Sequence, residues 1–548
     1  MHVNEALVDR LVERGVETMF GIPGKQSLPL NETIGNRDDI EFVVARHETA
    51  VSHEAWGYAE TSGRMAATCV VPGPGDMNAM NGLKNALNDC TPLLHVAIET
   101  EPELRGGDAI HETPPDTYDN VVKENVLVET PESALAELDR AIAVARTPPK
   151  GPVRFGIPKN FLKMETSLAE AGEFVTDSVR GVPAEGVDSA ADALADAESP
   201  VVVAGGGVRT ADATDRLLAV AERLDAPVVT TYKGKGVVPE DHPLSAGVLC
   251  GGASSDLLDL LATADAALGV GTDLDALTTR AFTVDLPETL VTVTLHASDV
   301  GQGYEPAVSL VCDARDALDA IDGALSERGR DRNVETAANR ASAVRRAAAE
   351  RMAELRADDE PPLTSPGALQ AVREALPREA IVSADAGGSR IWTLVSFPAY
   401  GPRQYVNPGS WATMGTGLPG AIGASMANPD ADVVALSGDG GLMMCVHELH
   451  TAVSEGIPVT VVVLNNSDYA IISEEASRSY DLDEMAYGWD ETPIDCCAVA
   501  AGMGMETLRA ETPAEIRDAL GTALDSDEPT LVEIPTDPTE PQASVWMD

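Results

Sequence analysis

Short apolar runs alternate with helical stretches along the whole chain, and the alternation falls into three blocks. In residues 1–165, Thr68–Val71 and Leu93–Ile98 read as buried strands and Glu48–Ser62 as an amphipathic helix. Residues 185–325 repeat the rhythm with strands Pro200–Ala204, Pro227–Thr231 and Ala266–Val270 and the helix Thr214–Leu224. Residues 365–540 repeat it again with strands Ala380–Ala384, Val433–Ser437, Val459–Leu464 and Thr530–Ile534 and a helical stretch Leu442–Ser454. Apolar strands separated by helices of about 10–15 residues imply parallel sheets covered on both faces. The pattern predicts an α/β protein of three doubly wound parallel-sheet domains, 1–165, 185–325 and 365–540. Ser167–Ala190 reads as a linker. Ser326–Pro366, rich in Arg, Ala and Glu, reads as one solvated helix followed by an extended connection.

Composition agrees with a multidomain protein: 548 residues are more than one core organises. Apolar residues are 44% of the chain and aromatic residues only 4% of it, so Ala, Val and Gly carry much of the packing. The net charge is 38 − 89 = −51, the acids are spread over the whole length, and only 8 of the 38 basic residues are Lys. Such a surface repels nucleic acid and anionic membranes and suits a high-salt cytoplasm, where screening shortens the reach of self-repulsion. Seven cysteines without a CxxC pair point away from a disulfide framework or a zinc site and toward a reducing compartment. The reading predicts no signal peptide, because the N-terminus opens into a helical pattern, and no run of 18 apolar residues spans a membrane. It therefore predicts a cytoplasmic protein.

The candidate chemistry lies in the third block. Gly438-Asp439-Gly440 follows one apolar strand, and Asn465-Asn466 follows the next. A strand–helix–strand crossover sets Asp439 and Asn466 side by side at the carboxyl edge of a parallel sheet, where such folds bind ligands. A carboxylate and an amide oxygen suit Mg²⁺, with a backbone carbonyl near Asp468 as a third donor. Gly440 and Gly441 leave room for a diphosphate to approach the backbone, and a helix starting near Leu442 points its N–H groups at it.

GDG, then 24 residues, then NN resembles the cofactor motif of thiamine-diphosphate enzymes. Over the whole chain the sequence is similar to the acetolactate synthase large subunit. Gly21-Ile22-Pro23-Gly24, Arg46-His47-Glu48, Gly57-Tyr58-Ala59, Gly73-Pro74-Gly75, Asn88-Asp89, Gly205–Val208 and Gly234-Lys235-Gly236 fall in family order. The resemblance implies thiamine diphosphate and Mg²⁺ as cofactors, a pyrimidine-binding first domain, a central domain and a diphosphate-binding third domain.

It also implies roles for individual residues. Glu48 takes the role of the partly buried carboxyl that shares a proton with the cofactor's pyrimidine ring. Met414 wedges between the two cofactor rings; Met444 either faces the pocket or packs in the core. Pro23, Gly73 and Asn78 in the first block bind cofactor, as do Gly387, Gly388, Ser389, Gly415, Gly438 and Tyr469 in the third. Asp439, Asn466 and Asp468 hold the metal. The segment 108–114 carries Ile110 and His111 where the family has Phe and Gln, and Gly388 and Ser389 replace Gln and His. His111 is a candidate proton relay or carboxylate ligand, and Lys123 a candidate cation facing an anionic substrate. His53, His447 and His450 read as hydrogen-bonded helix residues.

The activity implied is carboligation of a 2-oxo acid such as pyruvate. Simple 2-oxo acid decarboxylation and a flavin-dependent oxidase of the pyruvate oxidase type are the alternatives. FAD is disfavoured, because Cys250–Ala253 and Gly271–Leu274 depart from the family's flavin segments. The resemblance implies at least a homodimer, in which Glu48 of one subunit meets the metal edge of another. It also admits a homotetramer and a small regulatory subunit.

Overall fold

The computed structural model describes residues 1–107, 111–167, 181–357, 360–482 and 487–547. Among the described residues eighteen strands form three six-stranded sheets, and every strand pair in them is parallel. The first sheet contains β1 (Thr18–Gly21), β2 (Glu41–Val44), β3 (Ala66–Val70), β4 (Leu93–Glu99), β5 (Glu124–Leu127) and β6 (Val153–Pro158), in the order β2-β1-β3-β4-β6-β5. The second contains β7 (Val201–Ala204), β8 (Val228–Thr231), β9 (Ser245–Leu249), β10 (Ala267–Val270), β11 (Leu290–Thr294) and β12 (Val308–Val311), in the order β12-β11-β10-β7-β8-β9. The third contains β13 (Ile381–Ala384), β14 (Tyr405–Val406), β15 (Val433–Gly438), β16 (Thr460–Asn465), β17 (Glu506–Arg509) and β18 (Thr530–Pro535), in the order β14-β13-β15-β16-β18-β17. The central strands are buried on both faces, which explains their unbroken apolar sequences.

The helix Glu48–Ser62 spans the residues predicted for it, but it is not amphipathic: every residue from Ala50 to Thr61 is buried. It is covered on one side by its own sheet and on the other by the helix Gly417–Ala427 of the third block. Glycines make that contact possible. A Cβ on Gly57 would lie 2.1 Å from the Gly420 carbonyl oxygen, and one on Gly423 would lie 1.8 Å from that of Glu54. Trp56, Ala55 and Val51 thereby share a single core with Leu418, Ala421 and Ile422.

A buried ion network ties all three blocks. Lys233 donates to Glu60 (3.2 Å), Asp89 (2.8 Å) and the Asn407 carbonyl (2.9 Å). Arg209 donates to Glu60, and Trp56 Nε1 to Asp89 at 2.9 Å. Burial raises the Glu60 carboxyl, but Arg209 and Lys233 outweigh it and hold the group at about 2.

Three expectations about connections are corrected. The stretch Leu442–Ser454 is two helices, Asp439–Cys445 and Glu448–Glu455, broken at Val446-His447, so the first begins three residues before Leu442. The linker 167–190 is shorter than expected, because the helix Ala184–Ala195 occupies its end; residues 168–180 lie outside the described residues. The helix Glu335–Leu355 is not simply solvated: Ala341 and Val344 pack into the second block, and Met352 and Leu355 into the third.

Candidate active site

The third sheet reverses its strand order between β13 and β15, and open α/β sheets bind ligands at the carboxyl ends of the strands at such a reversal. Asp385, immediately after β13, is fully buried there. It accepts hydrogen bonds from the N–H groups of Ala386 (2.8 Å), Gly415 (3.1 Å) and Thr416 (3.1 Å), and from the hydroxyls of Thr416 (3.1 Å) and Ser437 (2.8 Å). Burial pushes its pKa up and these donors oppose the rise. Asp385 thus pins the Met414-Gly415 turn to the tips of β13 and β15. Sequence reasoning passed over it. The available signal was an acid ending an apolar strand just before a Gly pair.

Asp439 opens the helix after β15, and Asn466 follows β16 on the neighbouring strand. One carboxylate oxygen of Asp439 is buried without a partner. Burial, with Asp468 adding repulsion, pushes the group up to about 7 against the N–H groups of Gly440 and Ser467. Asn466 Oδ1 accepts from the Asp468 N–H at 3.2 Å, and Asp468 Oδ1 accepts from Ser473 Oγ at 2.7 Å. The hydroxyl of Ser389, at the start of the helix Gly388–Ser396, is also buried without a partner. An unpartnered buried oxygen is costly, so two at one sheet edge mark a place for a ligand that satisfies both.

The glycines divide in a way the sequence did not reveal. The bare face of Gly440 is filled by the Tyr469 ring, which would lie 2.6 Å from a Cβ there and stacks edge-on against Trp489 at 5.0 Å. The bare face of Gly441 is filled by Asp385, 2.4 Å from such a Cβ. Neither glycine therefore leaves the room for a diphosphate that was expected of it. The open faces belong to Gly387, at φ 112°, with no atom within 4 Å of a built Cβ, and to Gly438, which faces Ser389 Oγ across 4.0 Å. Gly388 makes only ordinary contacts, and Met414 is half-buried in the loop before the helix Gly417–Ala427. Met444 is 49% exposed, which removes it from the core.

Glu48 stands apart from this edge. It is half-buried at the first position of its helix, after the N-cap His47. Asn78 Nδ2 donates to it at 3.0 Å, and Gly75 makes room for it: a Cβ there would meet Glu48 Oε1 at 3.0 Å. The turn that carries Gly75 is anchored by buried Asp76, which accepts from His95 (2.9 Å), Arg154 (2.7 and 3.0 Å) and the Tyr118 hydroxyl. Gly73, at φ 67°, packs on the backbone of His111, which itself has a positive φ of 67° and a buried, unpartnered Nδ1. Pro23 is exposed in the loop after β1. Among the described residues no hydrogen bond or ion pair joins Glu48 to Asp439, Asn466 or Asp468.

Two residue readings are corrected. Lys123 does not face a site: its ammonium donates to the carbonyls of Val144 (2.7 Å) and Thr147 (2.6 Å), capping the end of the helix Ala134–Arg146. His53 is not a hydrogen-bonded helix residue: both ring nitrogens are buried without partners. Residues 108–110, and with them the Ile110 substitution, lie outside the described residues.

Residues 1–120 match the N-terminal TPP binding domain of thiamine pyrophosphate enzymes, residues 187–321 the central domain, and residues 385–534 the C-terminal TPP binding domain. The chain belongs to this family. Within it the chain is acetolactate synthase-like. It is 28% identical to a probable acetolactate synthase large subunit of Methanococcus aeolicus, over 98% of this chain and 92% of that one. It is 29% identical to the acetolactate synthase isozyme 1 large subunit of Escherichia coli, over 98% and 94%. It is 28% identical to the chloroplastic acetolactate synthase of Arabidopsis thaliana, over 97% and 80%.

Proposed function

We propose that the chain is a thiamine-diphosphate- and Mg²⁺-dependent carboligase that condenses a 2-oxo acid such as pyruvate with a second carbonyl compound. The observation that carries this reading is the unpartnered carboxylate oxygen of Asp439, buried beside the open faces of Gly387 and Gly438. A divalent cation satisfies that oxygen, and a diphosphate fits the bare backbone with Ser389 Oγ as a donor. Asp439, Asn466 and Asp468 would hold the metal, the last two after giving up their mutual contact. Gly387, Gly388, Ser389 and Gly438 would hold the diphosphate. Met414 and Gly415, positioned by Asp385, would support the rings.

When bound, the cofactor supplies the carbon nucleophile and the electron sink that loss of CO₂ from a 2-oxo acid requires. The chain's part is to orient that cofactor and manage its protons. Glu48, held by Asn78, would share a proton with the pyrimidine nitrogen. The backbone of His111 packs on Gly73, on the turn that carries Gly75 beside Glu48, so its ring is a candidate for meeting a substrate carboxylate.

Glu48 and the metal edge are then completed by a second copy of the chain, acid from one and metal from the other. Exposed Met77, Met443, Met444 and Trp411 supply apolar surface for that contact. A flavin does not suit the central domain. The crevice of about 870 Å³ at the carboxyl ends of β7, β8, β10 and β11 is lined by Asp273, Asp275 and Asp299, which repel a diphosphate. Of its cations, Arg209 and Lys233 are committed to Glu60 and Asp89, and Lys150 and Arg315 donate to the carbonyls of Thr210, Ala211 and Asp212. No described helix is long and apolar enough to cross a membrane. The acidic surface and seven free cysteines favour a reducing, high-salt cytoplasm.

The test is a panel of 2-oxo acids with product identification, run in high salt with both cofactors. A ligated 2-hydroxy-ketone acid is expected. Free aldehyde as the sole product assigns the enzyme to decarboxylation, and turnover retained by Asp439→Ala overturns the cofactor site.

A further inference from the structure

Glu448 begins the second half of the broken helix after Asp439, and its side chain is fully buried. It points away from the metal edge, into the first block. Its two carboxylate oxygens accept the Arg46 N–H at 3.1 and 3.2 Å, and Oε1 also accepts the His47 N–H at 3.0 Å. Thr451 Oγ1 donates to the same carboxylate, and His447 Nε2 lies 3.3 Å from Oε1. The same helix takes the Arg46 side chain: Nε donates to His450 Nδ1 at 2.9 Å, and a terminal nitrogen donates to Ser454. The turn from β2 into the helix Glu48–Ser62 is thus gripped from another domain, and His47 is that helix's N-cap.

We propose that Glu448 is a positioning residue for Glu48, setting the direction in which the first helical residue leaves its turn. This rests on the reading of Glu48 as the acid that protonates the cofactor ring. Holding the Arg46 and His47 N–H groups fixes the two peptide planes that enter the N-cap, and the extended backbone of the cap (φ −148°, ψ 143°) carries that direction on to Glu48. The middle of the helix is located independently, by Gly57 and Trp56 against Gly420. The first turn is also tied to the next helix, Thr49 Oγ1 donating to the Asn78 carbonyl at 2.7 Å, and the Glu448 carboxyl sets the two residues that lead into it. Hydrogen bonds from two successive backbone N–H groups to one buried carboxyl are directional, as this role requires. Sequence reading missed Glu448 because its partners are about 400 residues away.

The experiment uses the full-length holoenzyme and two variants that separate geometry from charge. Glu448→Gln loses the charge but keeps an acceptor oxygen where Arg46 and His47 donate. Glu448→Asp keeps the charge but withdraws the acceptor by one methylene. The readouts are cofactor affinity, by tryptophan-fluorescence titration, and the exchange of the cofactor's C2 proton for deuterium at saturating cofactor, by quenched-flow NMR. Glu48→Gln sets the floor of the exchange rate. The proposal expects Glu448→Asp to slow exchange by about tenfold or more, since an ångström-scale displacement costs up to about 100-fold. Glu448→Gln should stay within about threefold of the unaltered enzyme, and both variants should bind cofactor with near-normal affinity. The proposal is overturned if Glu448→Asp exchanges at the unaltered rate, if Glu448→Gln falls as far as Glu448→Asp, or if lost affinity accounts for the whole effect. If Glu48→Gln itself leaves exchange unchanged, the reading of Glu48 fails, and the positioning role with it.

Discussion

Gly423 lies against the backbone carbonyl of Glu54, so close that a Cβ at position 423 would come within 1.8 Å of that oxygen. Backbone meets backbone here, and no rotamer change relieves an added methyl. Gly423→Ala is therefore expected to cost about 3 kcal/mol. Gly521, inside the helix Pro513–Leu524 with nothing within 4 Å, is the control. Gly521→Ala should gain about 0.5–1 kcal/mol from helix propensity. Denaturant titration of the two variants checks both signs.

Asp385 accepts from five donors divided between its two oxygens. An Asn in its place turns an NH₂ group toward donors in either orientation. A buried donor left unsatisfied costs about 1–3 kcal/mol, and the Met414-Gly415 turn should loosen. Asp385→Asn is expected to weaken cofactor binding about tenfold or more while the fold persists. Fluorescence titration with thiamine diphosphate and Mg²⁺ measures this, and unchanged affinity contradicts it.

Lys233 neutralises two buried carboxylates, Glu60 and Asp89. Lys233→Met leaves both without that cation, and breaking a buried pair from one side costs about 3–5 kcal/mol. Thermal unfolding should start correspondingly earlier. The double variant Lys233→Met with Asp89→Asn should recover part of the loss, and additive effects would rule out the coupling.

His53 makes stability depend on pH. Burial lowers its pKa to about 3, whereas in the unfolded chain it takes a proton near 6.5. Between these values only the unfolded chain gains the proton, so stability falls as pH drops from about 6.5 toward 3. The slope is about 1.4 kcal/mol per pH unit for one such group. His53→Phe removes this contribution. The stability difference between variant and unaltered protein should widen by that amount per unit from pH 6 to pH 4.5, and a constant difference rules the assignment out.

What could be read from the sequence was local. Nine of the eighteen described strands were found within a residue or two of their ends, because a strand buried on both faces has few polar interruptions. Asp439 and Asn466 were legible because one crossover places two strand tips side by side. The break at Val446-His447 was not, because helical periodicity runs through it and the contact made just beyond it, Glu448 with Arg46, is tertiary. The occupied face of Gly440 was hidden for the same reason, since the ring that fills it belongs to Tyr469, 29 positions on. Lys123 was misjudged because a helix-capping ammonium and a substrate-facing one have the same sequence surroundings.

The shared packing of Trp56 with Leu418 has a consequence for how the polypeptide can be divided. A gene fragment ending before residue 365 would leave Trp56 and its neighbours bare, and the fragment would precipitate for want of its other half. The stretch around Val202, Leu268 and Leu318 closes on itself, so changes confined to it should do far less harm than changes at Arg209 or Lys233, which reach into the first block. Evolution and engineering alike should find the two ends of this chain inseparable.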